Sequence, residues 1–203
     1  MDTIKSNTEN FDEKQSLQII KAMIQVSHRK IKNDGILLII WGWIWFLGRL
    51  SDYLFWTIPH TQEMKQIKNI VGFIIFILAL FYTIFYIYKQ RRRVATYIDI
   101  SLRYIWLSLI FGMSLISMIL YNVLKEPNFE LQHPIFMVFI AFAIVATGGI
   151  LRYRLLIIGG IVFAALAYFS SFFAIQDQLL IESFAWLTAF VIPGHLMYIK
   201  RNK

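Results

Sequence analysis

The sequence predicts an all-α polytopic transmembrane bundle of six spans, preceded by an amphipathic helix lying in the membrane interface. Three observations carry that reading. Of 203 residues, 58% are hydrophobic and 17% aromatic against 16% charged, more apolar surface than a soluble domain buries. The apolar residues fall into runs close to the ~20 residues that cross ~30 Å of hydrocarbon. Positive charge lies between and beyond those runs, densest at Lys89-Gln90-Arg91-Arg92-Arg93. A charge at the bilayer centre costs ~3 kcal/mol or more, and short loops rich in Lys and Arg stay cytoplasmic. Residues 89–93 are therefore expected to face the cytoplasm and to orient every other segment.

Residues 16–32 place Leu17, Ile20, Ile24 and Ile31 on one helical face and Lys21, Gln25, His28 and Lys32 on another, the pattern of a helix docked on anionic headgroups at the cytoplasmic interface. The first residues, Met1 to Phe11, are polar and carry Asp2 and Glu9, unlike the basic start and apolar core of a cleaved signal peptide. Asn33-Asp34-Gly35 breaks the pattern and opens a first span over 35–57 with Trp41, Trp43, Trp45, Arg49 and Asp52. The second span, 70–88, carries no charge, and its Tyr82, Tyr86 and Tyr88 suit an aromatic belt. Thr96 and Asp99 are candidate caps for the helix leading into the third span, 103–124. An outer loop follows at 125–130, and Pro134 sits in the first turn expected for the fourth span, 134–151. Arg152-Tyr153-Arg154 makes a tight turn into the fifth, 155–174, and the sixth runs over 179–199 to the basic tail. The organisation expected is a cytoplasmic segment 1–33, a transmembrane domain 34–200 and a tail 201–203.

Charge counting supports this layout, because only one basic run was used to orient it. Sixteen of the twenty Lys and Arg fall on the cytoplasmic side, against Lys65, Lys68 and Lys125 outside and Arg49 within a span. Both termini are then cytoplasmic. The formal net charge of +8 is explained by this bias and argues for anionic lipid headgroups as partners, not nucleic acid. The absence of cysteine excludes disulfides, thiolate metal sites and cysteine nucleophiles.

With the spans in place, Leu17-Gln18-Ile19-Ile20, Trp41-Gly42-Trp43, Gly159-Gly160 and Ile192-Pro193-Gly194 together resemble the pattern of an uncharacterised family of small bacterial six-span membrane proteins. The resemblance covers most of the chain. It implies the architecture and a bacterial inner-membrane setting, but no activity and no functional residue.

Arg49 is the most demanding side chain, about 21 Å beyond Gly35 along a helix and too deep for an ordinary interfacial anchor. Asp52 follows at i+3, and Glu182 enters its own helix from the same side, so Arg49, Asp52 and Glu182 can form an outer-leaflet polar cluster. Such a cluster either fixes helix register or gates a substrate. His60 with Glu63 and Glu130 with His133 are i, i+3 pairs in outer loops and weak candidates for zinc. Loop residues beside Pro59 and Pro134 more commonly end helices, so no metal or other cofactor is assigned. Pro193-Gly194-His195 predicts a kink in the last span, with Ala189 losing its helical partner and His195 acting as a polar cap. Gly160, Ala164, Ala167 and Ser171 form a small-residue stripe for close helix packing, with Gly148 and Gly149 on the neighbouring helix. Trp41 and Trp45 share a helix face, and at least one indole N–H is expected to turn inward toward an acceptor.

Three classes of function follow. A structural or regulatory membrane subunit is favoured, because spans two and three carry no intramembrane charge and the soluble segments are too short for a domain. A small transporter or channel needs a continuous polar path. A membrane enzyme needs a nucleophile beside a base, yet only Thr147-Gly148-Gly149 stands where a rhomboid-type protease carries its serine motif. The bilayer is the one certain partner. A membrane-protein partner or a second copy is allowed.

Overall fold

The computed structural model of the chain describes residue 18 and residues 35–59, 61–90 and 97–201. The amphipathic segment other than Gln18, His60, Arg91 to Arg93 and Thr96 lie outside the described residues. Among the described residues every regular element is helical: α1 (Ile36–Thr57), α2 (Gln62–Gln90), α3 (Tyr97–Leu124), α4 (Phe129–Ile150), α5 (Arg154–Ser170) and α6 (Ile175–Trp186). A π-helical turn, Leu187–Val191, joins α6 to α7 (Ile192–Arg201). Five stretches are long and apolar enough to cross a membrane: Ile36–Thr57, Gln62–Tyr86, Ile100–Leu124, Phe129–Ile150 and Ile175–Ile199. The remaining apolar helix, α5, has 17 residues.

Several helices outrun their expected spans, because hydropathy marks the hydrocarbon whereas hydrogen bonding and caps mark the helix. Helix α2 starts at Gln62, where the Thr61 hydroxyl accepts from Met64 N. Helix α3 starts at Tyr97, so Asp99 lies inside the helix rather than before it. Helix α4 starts at Phe129, with the Asn128 side chain accepting from Leu131 N at 2.9 Å. Pro134 is therefore internal and buried, not in the first turn. In the other direction, α5 stops at Ser170, where the Ser170 and Ser171 hydroxyls donate to the carbonyls of Ala167 and Tyr168.

The connection from α4 to α5 explains the tight turn at Arg152-Tyr153-Arg154. Arg152 takes φ 51°, while its N–H reaches Gly149 O and that of Tyr153 reaches Gly148 O, the paired bonds of a Schellman end. Burial raises the Tyr153 phenol above its ordinary pKa, so it stays an O–H donor, and its hydroxyl contacts Pro193 O at 3.4 Å.

Helices α1, α4, α5 and α6 with its continuation form the packed centre, while α2 lies on α1 and α3 on α4. Close approach depends on glycine where backbones nearly touch. A Cβ on Gly160 would sit 3.0 Å from Val145 N, and one on Gly148 2.9 Å from Ile157 N, so these two seat α4 on α5. Ala167 is fully buried beside them and Ala164 is half-buried. Gly149 and Ser171 do not join this interface. Gly149 is exposed with open space where its Cβ would be, and Ser171 lies beyond the end of α5. One position off the seam turns Gly149 by about 100° around the helix, away from α5. Gly159 and Gly42, which the stripe did not include, touch the π turn at Ala189 and at Phe190 and Val191.

The outer helices carry broad apolar faces. Phe81 on α2 is 72% exposed and Met118 on α3 is 69% exposed, the surface expected of helices that meet lipid tails.

Candidate functional site: a polar cluster at one end of the bundle

The site lies at the end of the bundle where α1 and α3 finish and where α2, α4 and α6 begin. Arg49 sits about 12 Å before the end of α1, on the face turned toward α6. Its Nε lies 3.0 Å from Glu182 Oε2 and its Nη1 3.3 Å from Asp52 Oδ2. The Nε contact is an ion pair without hydrogen-bond alignment. The guanidinium also lies over the ring of Trp45, 5.3 Å from its centroid, a favourable place for a planar cation. Asp52 is shared: its Oδ1 accepts from Lys68 Nζ at 2.6 Å, which ties α2 to α1.

Glu182 is the buried centre, 2% exposed. Its Oε2 meets both Arg49 Nε and His133 Nε2, and its Oε1 accepts from Trp186 Nε1 at 2.9 Å. One carboxylate thus joins α1, α4 and α6. An isolated charge at such a position costs several kcal/mol, and the surrounding donors offset that cost. Arg49, Asp52 and Glu182 are brought together here. The ligation by His133, Lys68 and Trp186 was not apparent in the chain. His133 read as a loop residue because Pro134 suggested a helix start, and Lys68 read as a loop charge. Trp186 at i+4 from Glu182 was the one available signal.

The residues weighed for a metal are not gathered. Glu63 is exposed in the first turn of α2, Glu130 is exposed, and His133 is occupied by Glu182. Among the described residues no three His, Cys, Asp or Glu side chains are placed to hold a metal ion.

Above the cluster a cavity of about 570 Å³ opens between α1, the α3–α4 connection, α4 and α6. Arg49 and His133 line it, with Glu182 behind them. Asp52, Trp56, Glu126 and Glu130 stand around them. Beneath the cluster the core turns aromatic. Trp45 stacks on Trp186 at 5.4 Å, Phe163 and Phe190 pack on the other sides of Trp186, and Trp106 packs on Phe190.

A second polar feature supports the same end of the bundle. Pro134 has no N–H for the Glu130 carbonyl one turn earlier, and Gln178 Nε2 donates to that carbonyl at 3.1 Å and to Phe173 O at 2.9 Å. Gln178, 1% exposed, thereby replaces a missing helix bond and locks α6 onto α4. At the opposite end the Pro193 segment behaves analogously, with one change from expectation. The π turn precedes Pro193, and His195 Nδ1 lies 2.8 Å from Val191 O, not at the Ala189 carbonyl. A π turn lengthens the reach of each N–H by one residue, as Ile192 N to Leu187 O shows, so the acceptor left for His195 shifts along the chain. Trp41 turns its indole N–H onto Thr83 Oγ1 of α2 at 3.1 Å, and Trp45 faces α2 at Phe76.

No protein-family model, curated protein or solved structure matches this chain. The site therefore has to be read from its own geometry.

Proposed function

We propose that this is a bacterial inner-membrane protein of the small six-span kind, with both termini cytoplasmic, acting as a structural or regulatory membrane subunit and not as a conduit. The observation that carries this reading is the closure of the cluster. Arg49 and His133 close on Glu182, and the next layer is packed aromatic core, which favours a charge network that fixes helix positions over a polar path. Five helices already have spanning length, and α5 would cross as the sixth, its 17 residues spanning about 26 Å, with modest local thinning of the bilayer. Residues 1–33 then form the cytoplasmic segment, 34–200 the membrane domain and 201–203 the tail, with the basic ends on anionic headgroups.

Substituted cysteines test the closure directly in a chain that has none. Ala143 and Ala189 are buried below the cluster, whereas Glu130 stands at the cavity mouth. Ala143→Cys and Ala189→Cys are expected to resist a small water-soluble thiol reagent from both sides of the membrane, while Glu130→Cys reacts. Reaction at either buried position would replace the subunit reading with a small transporter or channel built around the Arg49, Asp52 and Glu182 cluster.

A further inference from the structure

The cavity itself has a use that closing the bundle does not require. Its floor is cationic. Arg49 has five N–H donors, and among the described residues its contacts run through Nε and Nη1 only. The first turns of α4 and α6 open on the same space through Phe129 and Ile175, adding the positive ends of two helices. Its mouth is the opposite. Glu126 and Glu130 are exposed carboxylates, and Trp56 and Phe129 present aromatic surface, 59% and 64% exposed.

A simple anion is drawn to this floor and repelled by the rim, and a simple cation meets the reverse. A molecule with a phosphate at one end and an ammonium group at the other satisfies both. Guanidinium binds phosphate through paired donors, and carboxylates with aromatic faces hold ammonium. The cavity volume of about 570 Å³ lies within the ~300–1,000 Å³ of small-molecule sites. Its mouth lies at the end of a membrane bundle, at the level where lipid headgroups sit. We propose that this cavity binds the headgroup of a phosphoethanolamine lipid, with the phosphate on Arg49 and the ammonium between Glu126, Glu130 and Trp56. The inference needs only a membrane setting and this end of the bundle at a headgroup layer, so it can fail while the closed-core reading stands.

The test uses the full chain in nanodiscs containing equal phosphatidylethanolamine and phosphatidylglycerol, with the lipid retained after extraction measured by native mass spectrometry. Phosphatidylethanolamine should be enriched on the protein about tenfold, the ratio that about 1.4 kcal/mol produces. In the double variant Glu126→Gln, Glu130→Gln, whose altered side chains are exposed, enrichment should fall to about threefold or less with the thermal midpoint unchanged. Equal retention of both lipids by the wild type, or undiminished enrichment in the variant, overturns the proposal. Soluble O-phosphoethanolamine, added in lipid-free detergent, separates the sources. If it raises the midpoint while phosphatidylethanolamine is not enriched, the cavity serves a free zwitterion and the lipid proposal falls.

Discussion

At the scale of single residues, Arg49 and Glu182 depend on each other more than on the rest of the fold. Glu182 is almost fully buried and Arg49 reaches it at 3.0 Å, so removing either leaves a charge without its partner, at a cost of about 3–5 kcal/mol. Arg49→Gln and Glu182→Gln are each expected to lower the unfolding midpoint in detergent strongly, and the double variant to lose clearly less than their sum. Additive losses would show that the charges do not meet. The Gln178 side chain permits a finer measurement. Gln178→Leu strands the carbonyls of Glu130 and Phe173, an expected loss of about 1–3 kcal/mol. In a Pro134→Ala background the restored N–H serves Glu130, so the same substitution should cost about 1 kcal/mol less. An identical loss in both backgrounds would break the link between the proline and the glutamine.

At the scale of elements, the seam between α4 and α5 separates two adjacent glycines that composition cannot tell apart. A Cβ at Gly148 would press on the backbone of Ile157 at 2.9 Å, whereas at Gly149 nothing lies within 4 Å. Backbone cannot yield as a flexible side-chain tip can, so Gly148→Ala should destabilise the bundle by about 1–3 kcal/mol. Gly149→Ala should be neutral or stabilising by up to about 1 kcal/mol, since alanine is the better helix former. Thermal unfolding of the two variants side by side checks this, and equal effects would mean that α4 is rotated from the position described.

At the scale of the whole molecule, the proposed orientation rests on the distribution of basic residues, sixteen of twenty on one side. Single cysteines at Asn10, Ala95 and Asn202 are expected to be shielded from an impermeant thiol reagent in intact cells, and one at Asn128 to react. Reaction at 202 with protection at 128 would defeat the six-span orientation. The same layout puts the cavity on the outer face, so Glu130→Cys should label from outside alone.

The helical class and the apolar runs are legible in the chain, because bilayer thickness imposes a run length and charge cannot rest in hydrocarbon. The depth of Arg49 along its helix by itself demands a partner, and periodicity alone places Asp52 within its reach. Periodicity describes one helix at a time, however, and says nothing about which neighbour a face will meet. Only the packing of α1, α4 and α6 against one another decided that Glu182 gathers Arg49, His133 and Trp186 on one carboxylate, that Lys68 completes Asp52, and that Gly149 faces away from the seam that Gly148 forms. Those contacts join residues up to 133 positions apart in the chain, and such pairings arise from the mutual fit of helix surfaces, which no local pattern encodes.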